Sequence, residues 1–112
     1  MAVDIDQCVA EILEVGHCIL PGHLPRTGID ECRGAFLPLV SEVASRIPDG
    51  NRGPRRWAIG LPFAPPLYQT AFFNDDTIIQ IVSSILGEDM AISYYGTDTP
   101  IGGSEYQKVH SD

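Results

Sequence analysis

A chain of 112 residues, of which 44% are hydrophobic and 20% charged, is one domain or part of one, and this composition argues against wholesale disorder. Its formal net charge of −8 argues against nucleic acid or an anionic membrane as a partner, because both attract basic surfaces. No apolar stretch approaches the roughly 20 residues that span a bilayer. The three cysteines form no C-x-x-C pair and the N-terminus shows no signal-peptide pattern, so we expect a cytoplasmic protein.

The N-terminal segment is predicted to form a capped helix followed by a brief strand. Asp4 and Gln7 have the spacing of a capping box, and the apolar residues after them recur at helical intervals. Gly16 is well placed to end this helix. Residues 17–20 are predicted to form a short strand, which the turn at Pro21 and Gly22 closes.

A second helix is predicted from Thr27 or Ile29 to about Arg46, with a kink or a new start at Pro38. Residues 48–54 have the composition of a loop. Residues 55–61 alternate and are predicted to form a strand, after which the prolines of residues 62–66 impose an irregular path.

A third helix is predicted to start after Asn74 or Asp75 and to end at Gly87. Its apolar residues are expected to be buried: Ile78, Ile79, Ile81, Val82, Ile85 and Leu86. Strands are predicted at residues 90–95 and 105–110, separated by a turn at residues 97–103, so that they form a hairpin-like pair. This order indicates an α+β chain whose sheet has an exposed edge, through which we expect self-association.

The closing residues carry the motif with the most specific chemistry. On a strand, residues two apart face the same side, so His110 and Asp112 can direct an imidazole nitrogen and a carboxylate at one point. This pair is two thirds of the 2-His-1-carboxylate triad that holds non-haem Fe(II). The triplet alone is also typical of a polar C-terminus in solvent.

The order of elements resembles the N-terminal half of the phytanoyl-CoA dioxygenase family of Fe(II)/2-oxoglutarate-dependent oxygenases. The resemblance rests on residues 16–22 after the first helix, residues 85–89 at the end of the third, and Gln107, His110 and Asp112. It implies N-terminal helices packed on part of a double-stranded β-helix (jelly roll), truncated after the His-x-Asp strand. Residues 1–112 would then be a single partial domain.

The resemblance also implies a site. His110 and Asp112 look like the first two iron ligands, and Gln107 stands where some relatives contact 2-oxoglutarate. Ile92 and Tyr94 are expected to line the pocket. The family hydroxylates small-molecule or acyl substrates, and an aspartate at position 112 favours oxygenation over halogenation.

The departures from the family pattern concern the second half of the site. The chain has neither the distal histidine nor the arginine that pairs with 2-oxoglutarate. We therefore expect these 112 residues alone to be inactive and to be a portion of a longer enzyme. The alternative is a non-catalytic remnant that acts as a protein-interaction module through its helices and acidic face.

Other residues have two interpretations each. Five aromatic residues can wall a substrate pocket or anchor the core and loops: Trp57, Phe63, Tyr68, Phe72 and Phe73. Arg55 and Arg56 can meet an anionic substrate or face solvent. His17 and His23 are expected to be turn residues, and the cysteines packed apolar side chains.

Overall fold

The computed structural model describes residues 2–110, and Asp112 of the predicted iron site lies outside them. The elements, in chain order, are α1 (Ile5–Val15), α2 (Arg26–Arg46), β1 (Arg56–Gly60), α3 (Thr70–Phe73), α4 (Asp76–Leu86) and β2 (Gly96–Pro100). Among residues 2–110, no helix has both the length and the apolar character that crossing a membrane requires.

Helix α1 is delimited by the two residues that the sequence indicated. The carboxylate of Asp4 accepts a hydrogen bond from the backbone N–H of Gln7 at 3.0 Å. Gly16 has φ of +88°, a left-handed conformation that glycine adopts without strain, and its N–H donates to the carbonyl of Ile12. The strand predicted at residues 17–20 is wrong, because these residues have no regular secondary structure.

Helix α2 continues through Pro38 instead of breaking there, so the predicted new start is wrong. Proline lacks an N–H, and the carbonyl of Gly34 consequently loses its helical partner. Gly34 and Pro38 are both exposed, so water can bond that carbonyl and the helix tolerates the proline.

Strand β1 forms as predicted and pairs antiparallel with β2, with Trp57 opposite Thr99 and Ile59 opposite Thr97. The segment that provides β2 was predicted to be a turn because it contains proline and lies next to glycines. The prediction is wrong, since the threonines of Gly96–Pro100 suit a strand and the partner supplies the ladder bonds.

The predicted hairpin of residues 90–95 with residues 105–110 is also wrong. Neither segment has strand structure in the part of the chain that the structure describes. Apolar alternation predicts which face of a strand is buried, whereas a strand exists only where a partner supplies hydrogen bonds. Here β2 occupies the position beside β1, and Ile92 and Tyr94 remain 58% and 66% exposed.

The main core lies between α2 and one face of the sheet. Trp57 and Ile59, 2% and 5% exposed, pack with Val43 of α2. The indole N–H of Trp57 donates to the carbonyl of Ile47 at 2.8 Å, which fixes the ring beneath the end of α2. Trp57 is therefore a core residue and not part of a pocket wall.

A second packing layer joins α1 to α4, with Cys8 and Ile81 buried. Asp75, one of the two predicted caps, accepts the N–H of Ile78 and starts α4. The prediction that every apolar residue of α4 is buried is wrong, because Ile79 and Leu86 are 37% and 70% exposed.

The loop before β1 covers one edge of the sheet. The side-chain amide of Asn51 donates to the carbonyl of Ala58 at 3.1 Å, and its oxygen accepts the N–H of Ala58 at 2.7 Å. The backbone N–H groups of Asn51 and Arg52 both donate to the carbonyl of Arg56. The polar groups of β1 that face away from β2 are thus bonded at these two residues.

Candidate metal-binding segment and its surroundings

The segment that carries the predicted iron ligands comes after β2 and a tight turn. The N–H of Ser104 donates to the carbonyl of Ile101 at 3.0 Å, and residues 105–110 are exposed. His110 lies at the end of the described chain, whereas Ser111 and Asp112 lie outside it. The prediction that the two ligands point to one place assumed a strand, which residues 105–110 do not form, and Asp112 itself lies outside the described residues.

The imidazole of His110 has a defined tautomer in its neutral form. Its Nδ1 lies 2.7 Å from the carbonyl oxygen of Lys108, and because a carbonyl only accepts, Nδ1 carries the proton. The lone pair of the neutral ring is then on Nε2. Metal-binding histidines commonly use this arrangement, in which a carbonyl bonded to one nitrogen orients the other.

Polar contacts tie the approach to His110 to the exposed face of the sheet. Asp98 of β2 accepts a hydrogen bond from Arg56 of β1 at 3.0 Å and lies 3.4 Å from the amide nitrogen of Gln107. Arg56 also donates to the carbonyl of Glu105 at 3.3 Å. Only 14% of the Arg56 side chain is exposed, so it does not face solvent. Its guanidinium links β1 to β2 and to residue 105.

The sequence predicted that Arg55 and Arg56 lie in one strand and meet an anionic substrate or face solvent. Arg55 precedes β1, and its Nε donates to the carbonyl of Gly102 at 2.6 Å. Both arginines therefore bond the chain beyond β2. This structural role was not predicted, because it depends on the antiparallel pairing of two distant segments.

The donor groups fit Fe(II) in type but do not complete a site. An imidazole and a carboxylate are two of the three ligands in the facial triad. Among residues 2–110, no group of three or more histidine, cysteine, aspartate or glutamate residues is arranged to hold a metal ion.

His23 lies in a turn, as predicted, but it also makes a long-range contact. Its Nε2 lies 2.9 Å from Oδ1 of Asp75, and both side chains are more than three quarters buried. This hydrogen bond, with that from the N–H of Ile78, holds the pKa of the Asp75 carboxyl below its usual value. The contact was not predicted because the two residues are 52 positions apart in the sequence.

Four aromatic side chains form a cluster beside the proline-rich loop: Phe63, Tyr68, Phe73 and Tyr95. Tyr68 stacks on Phe73 with ring centroids 4.7 Å apart, and Phe73 meets Tyr95 edge to face at 4.8 Å. The hydroxyl of Tyr95 donates to the carbonyl of Leu67 at 2.5 Å, and burial raises the pKa of this phenol. Three of the predicted pocket aromatics thus contact one another.

An open apolar groove of about 330 Å³ runs along α4. It is lined by residues 90–92 and by Phe72, Phe73, Ile78, Ile79, Val82 and Leu86. Ile92 lines this groove, and Tyr94 lies in a separate depression beside Asp98; that they line an iron pocket stays a prediction. The sequence did not reveal the groove because every apolar residue of α4 was assigned to the core.

Comparison of the chain with protein-family models, with curated proteins and with solved structures finds no match. Its function has to be inferred from its own residues and from the resemblance of its motifs.

Proposed function

We propose that the chain is the N-terminal portion of an Fe(II)/2-oxoglutarate-dependent oxygenase similar to the phytanoyl-CoA dioxygenases. The observation that carries the proposal is the sequence motif His110-x-Asp112, together with the resemblance of residues 16–22 and 85–89 to segments of this family. The hydrogen bond between Nδ1 of His110 and the carbonyl of Lys108 adds support, since metal-binding histidines commonly bond a carbonyl through the nitrogen that does not ligate the metal.

In this proposal His110 contributes a nitrogen ligand and Asp112 an oxygen ligand. Iron with bound 2-oxoglutarate would supply O₂-dependent hydroxylation of a small-molecule or acyl substrate. Arg56 and Asp98 orient the segment that precedes the ligands. The contact of Gln107 with Asp98 is long for a hydrogen bond at 3.4 Å, so its amide can exchange it for a 2-oxoglutarate carboxylate.

The proposal includes three properties of the complete protein. A distal histidine and an arginine complete the site, and residues 1–112 without them are inactive. The sheet belongs to a double-stranded β-helix (jelly roll) of which this chain forms one partial domain. The protein is cytoplasmic, and all three cysteines, Cys8, Cys18 and Cys32, are free thiols as that compartment favours.

An anaerobic titration of the natural full-length protein tests the iron site. Fe(II) and 2-oxoglutarate together are expected to produce the weak visible charge-transfer band of the ternary complex. His110→Ala should abolish the band, whereas His17→Ala, which removes another exposed histidine, should leave it unchanged. No band in the wild type, or the same band in His110→Ala, would refute the metal assignment.

A non-catalytic interaction module is the second candidate. The uncovered apolar groove along α4 favours it, because an apolar surface of this kind marks a binding site. The two candidates differ in the natural sequence beyond Asp112: the oxygenase requires a histidine there, with an arginine about ten residues further on. A natural sequence lacking both would leave the interaction module.

A further inference from the structure

Charge is strongly segregated between the two packing layers. Residues 2–25 and 70–92, which include α1 and α4, contain no lysine or arginine. They contain eight acidic residues: Asp4, Asp6, Glu11, Glu14, Asp75, Asp76, Glu88 and Asp89. The arginines lie instead between Arg26 and Arg56, in α2, β1 and the loop that joins them. Because α1 packs on α4, these eight of the chain's 15 acidic residues lie in a layer without lysine or arginine, which we call the acidic layer.

The apolar groove belongs to this acidic layer. Helix α4 packs on α1 and buries Ile81, yet Ile79, Val82 and Leu86 line the open groove at intervals of three and four residues. A helix that is apolar on more than one side is ordinarily covered on each of them. The lining of the groove contains no charged side chain, so it suits apolar anchors.

The molecule as a whole exposes more surface than its size requires. Its accessible area is 8391 Å², whereas a compact monomer of 12.2 kDa exposes about 6,100 Å². The difference of about 2,300 Å² exceeds the roughly 800 Å² that one partner contributes to a standard interface. The radius of gyration of 16.4 Å likewise exceeds the roughly 13 Å of a compact domain this long. This excess shows that surface remains to be covered but does not by itself identify what covers the groove.

Acidic residues stand at both ends of α4, the helix that lines the groove. Asp76 opens α4, and Glu88 and Asp89 come shortly after its last residue; all three are exposed. A second copy of this chain would bring like charges together, which weakens association. A partner helix with lysine or arginine flanking its apolar stripe would meet the opposite charge at each end.

We propose that the α4 groove is a docking site for a basic amphipathic helix of a partner protein. Apolar side chains at positions i, i+3 or i+4, and i+7 of that helix enter the groove, as in other helix-in-groove complexes. Its basic flanks lie against Asp76 at one end and against Glu88 and Asp89 at the other. None of the groove residues is a predicted iron ligand, although Ile92, which lines the groove, is also expected to line the iron pocket.

Fluorescence anisotropy with synthetic peptides tests the docking site. The probe is a labelled amphipathic helix with leucines at i, i+4 and i+7 and lysines at both ends. We expect the full chain to bind this peptide with a dissociation constant on the order of micromolar. Binding should become weaker as the salt concentration rises. A peptide with the same leucines and glutamate flanks should bind at least about tenfold more weakly, and so should a basic peptide with scrambled leucines.

Two matched variants locate the binding. Leu86→Glu places a charge in the groove and should weaken binding at least about tenfold. Leu13→Glu changes an equally exposed leucine of α1, 71% against 70%, and should leave binding unchanged. A chain with Asp76→Asn, Glu88→Gln and Asp89→Asn keeps the apolar lining and should lose most of the salt dependence. Circular dichroism of each variant establishes that it is folded.

Three outcomes would overturn the proposal. Equal binding of the basic and acidic peptides would remove the charge selection, and unchanged binding by Leu86→Glu would remove the groove. A wild-type dimer that Leu86→Glu dissociates, seen by sedimentation in the absence of peptide, would make the groove a contact between copies of this chain.

Discussion

Nε2 of His23 lies 2.9 Å from Oδ1 of Asp75, although 52 residues separate them in the chain. The same carboxylate accepts the N–H of Ile78 at the start of α4. One side chain therefore both begins α4 and fastens it to the turn between α1 and α2. This contact adds to the apolar packing of α1 on α4, because His23 lies in the turn that follows α1.

Replacement of Asp75 should separate its two contacts. Asp75→Asn keeps a side-chain oxygen that can cap Ile78 but loses the charge beside His23. Asp75→Ala loses both, so we expect a larger decrease in Tm for the alanine variant. Thermal unfolding followed by circular dichroism measures the difference. Equal losses in the two variants would show that the cap contributes nothing.

Stability should also depend on pH through Asp75. Because its folded pKa lies below the ordinary value of 3.8, the stability that it contributes is fully present above that value. It is lost as pH falls through the lower folded pKa. The Tm difference between wild type and Asp75→Asn should therefore shrink as pH falls below 3.8. Asp76→Asn, at the exposed neighbour, is the control; a constant wild-type difference would contradict the prediction.

Trp57 is expected to be the most sensitive position of the main core. Trp57→Ala should cost about 3–5 kcal/mol of unfolding free energy, since the ring is 2% exposed. This is a large part of the roughly 5–15 kcal/mol that stabilises a domain. Ile19→Ala, at a residue 74% exposed, should change stability by less than about 0.5 kcal/mol. Urea unfolding followed by circular dichroism compares the two.

Tyr95 should behave as a partly buried phenol. Tyr95→Phe removes the hydrogen bond to Leu67 and should cost about 1 kcal/mol, whereas Tyr94→Phe, at a residue 66% exposed, should cost almost nothing. Because the folded pKa of Tyr95 is raised, wild-type stability should fall as pH rises above its ordinary value of 10.0. In a spectrophotometric titration of tyrosine ionisation, the phenol that ionises at the highest pH in the wild type should be absent from Tyr95→Phe.

Arg56 and Asp98 should be coupled weakly. Asp98 is 39% exposed, so a double-mutant cycle with Arg56→Met and Asp98→Asn should give a coupling below about 1 kcal/mol. Arg56→Met alone should cost more than Asp98→Asn alone, because only Arg56 also bonds the carbonyl of Glu105. The reverse order of costs would show that the contact with residue 105 is unimportant.

Local chemistry made α1 and α4 predictable, whereas the short helix α3 was not predicted. Asp4, Gly16 and Asp75 act on neighbours within four residues, so their spacing in the sequence already contains the relevant geometry. The strands depend on a distant partner. Residues 96–100 form a strand because they lie beside β1, and residues 90–95 do not because that place is taken.

The candidate site was predictable only in part for the same reason. The sequence identifies His110 and Gln107 as residue types suited to iron and 2-oxoglutarate, but the Lys108 carbonyl that sets the His110 tautomer is a feature of the folded backbone. The contact of Arg56 with Asp98 spans 42 residues and requires the register of the sheet. No residue pattern indicated it.

The side chain of Asn51 occupies the place beside Ala58 that a third strand would need. Enlargement of the sheet is therefore directional: a new strand can join next to β2 but not at this point of β1. Pro100 has no N–H to offer, which limits such recruitment to the Gly96 end of β2. In this sheet, β-pairing with another chain is thereby confined to the Gly96 end of β2. The aggregation that unpaired edge strands promote is confined to the same short segment.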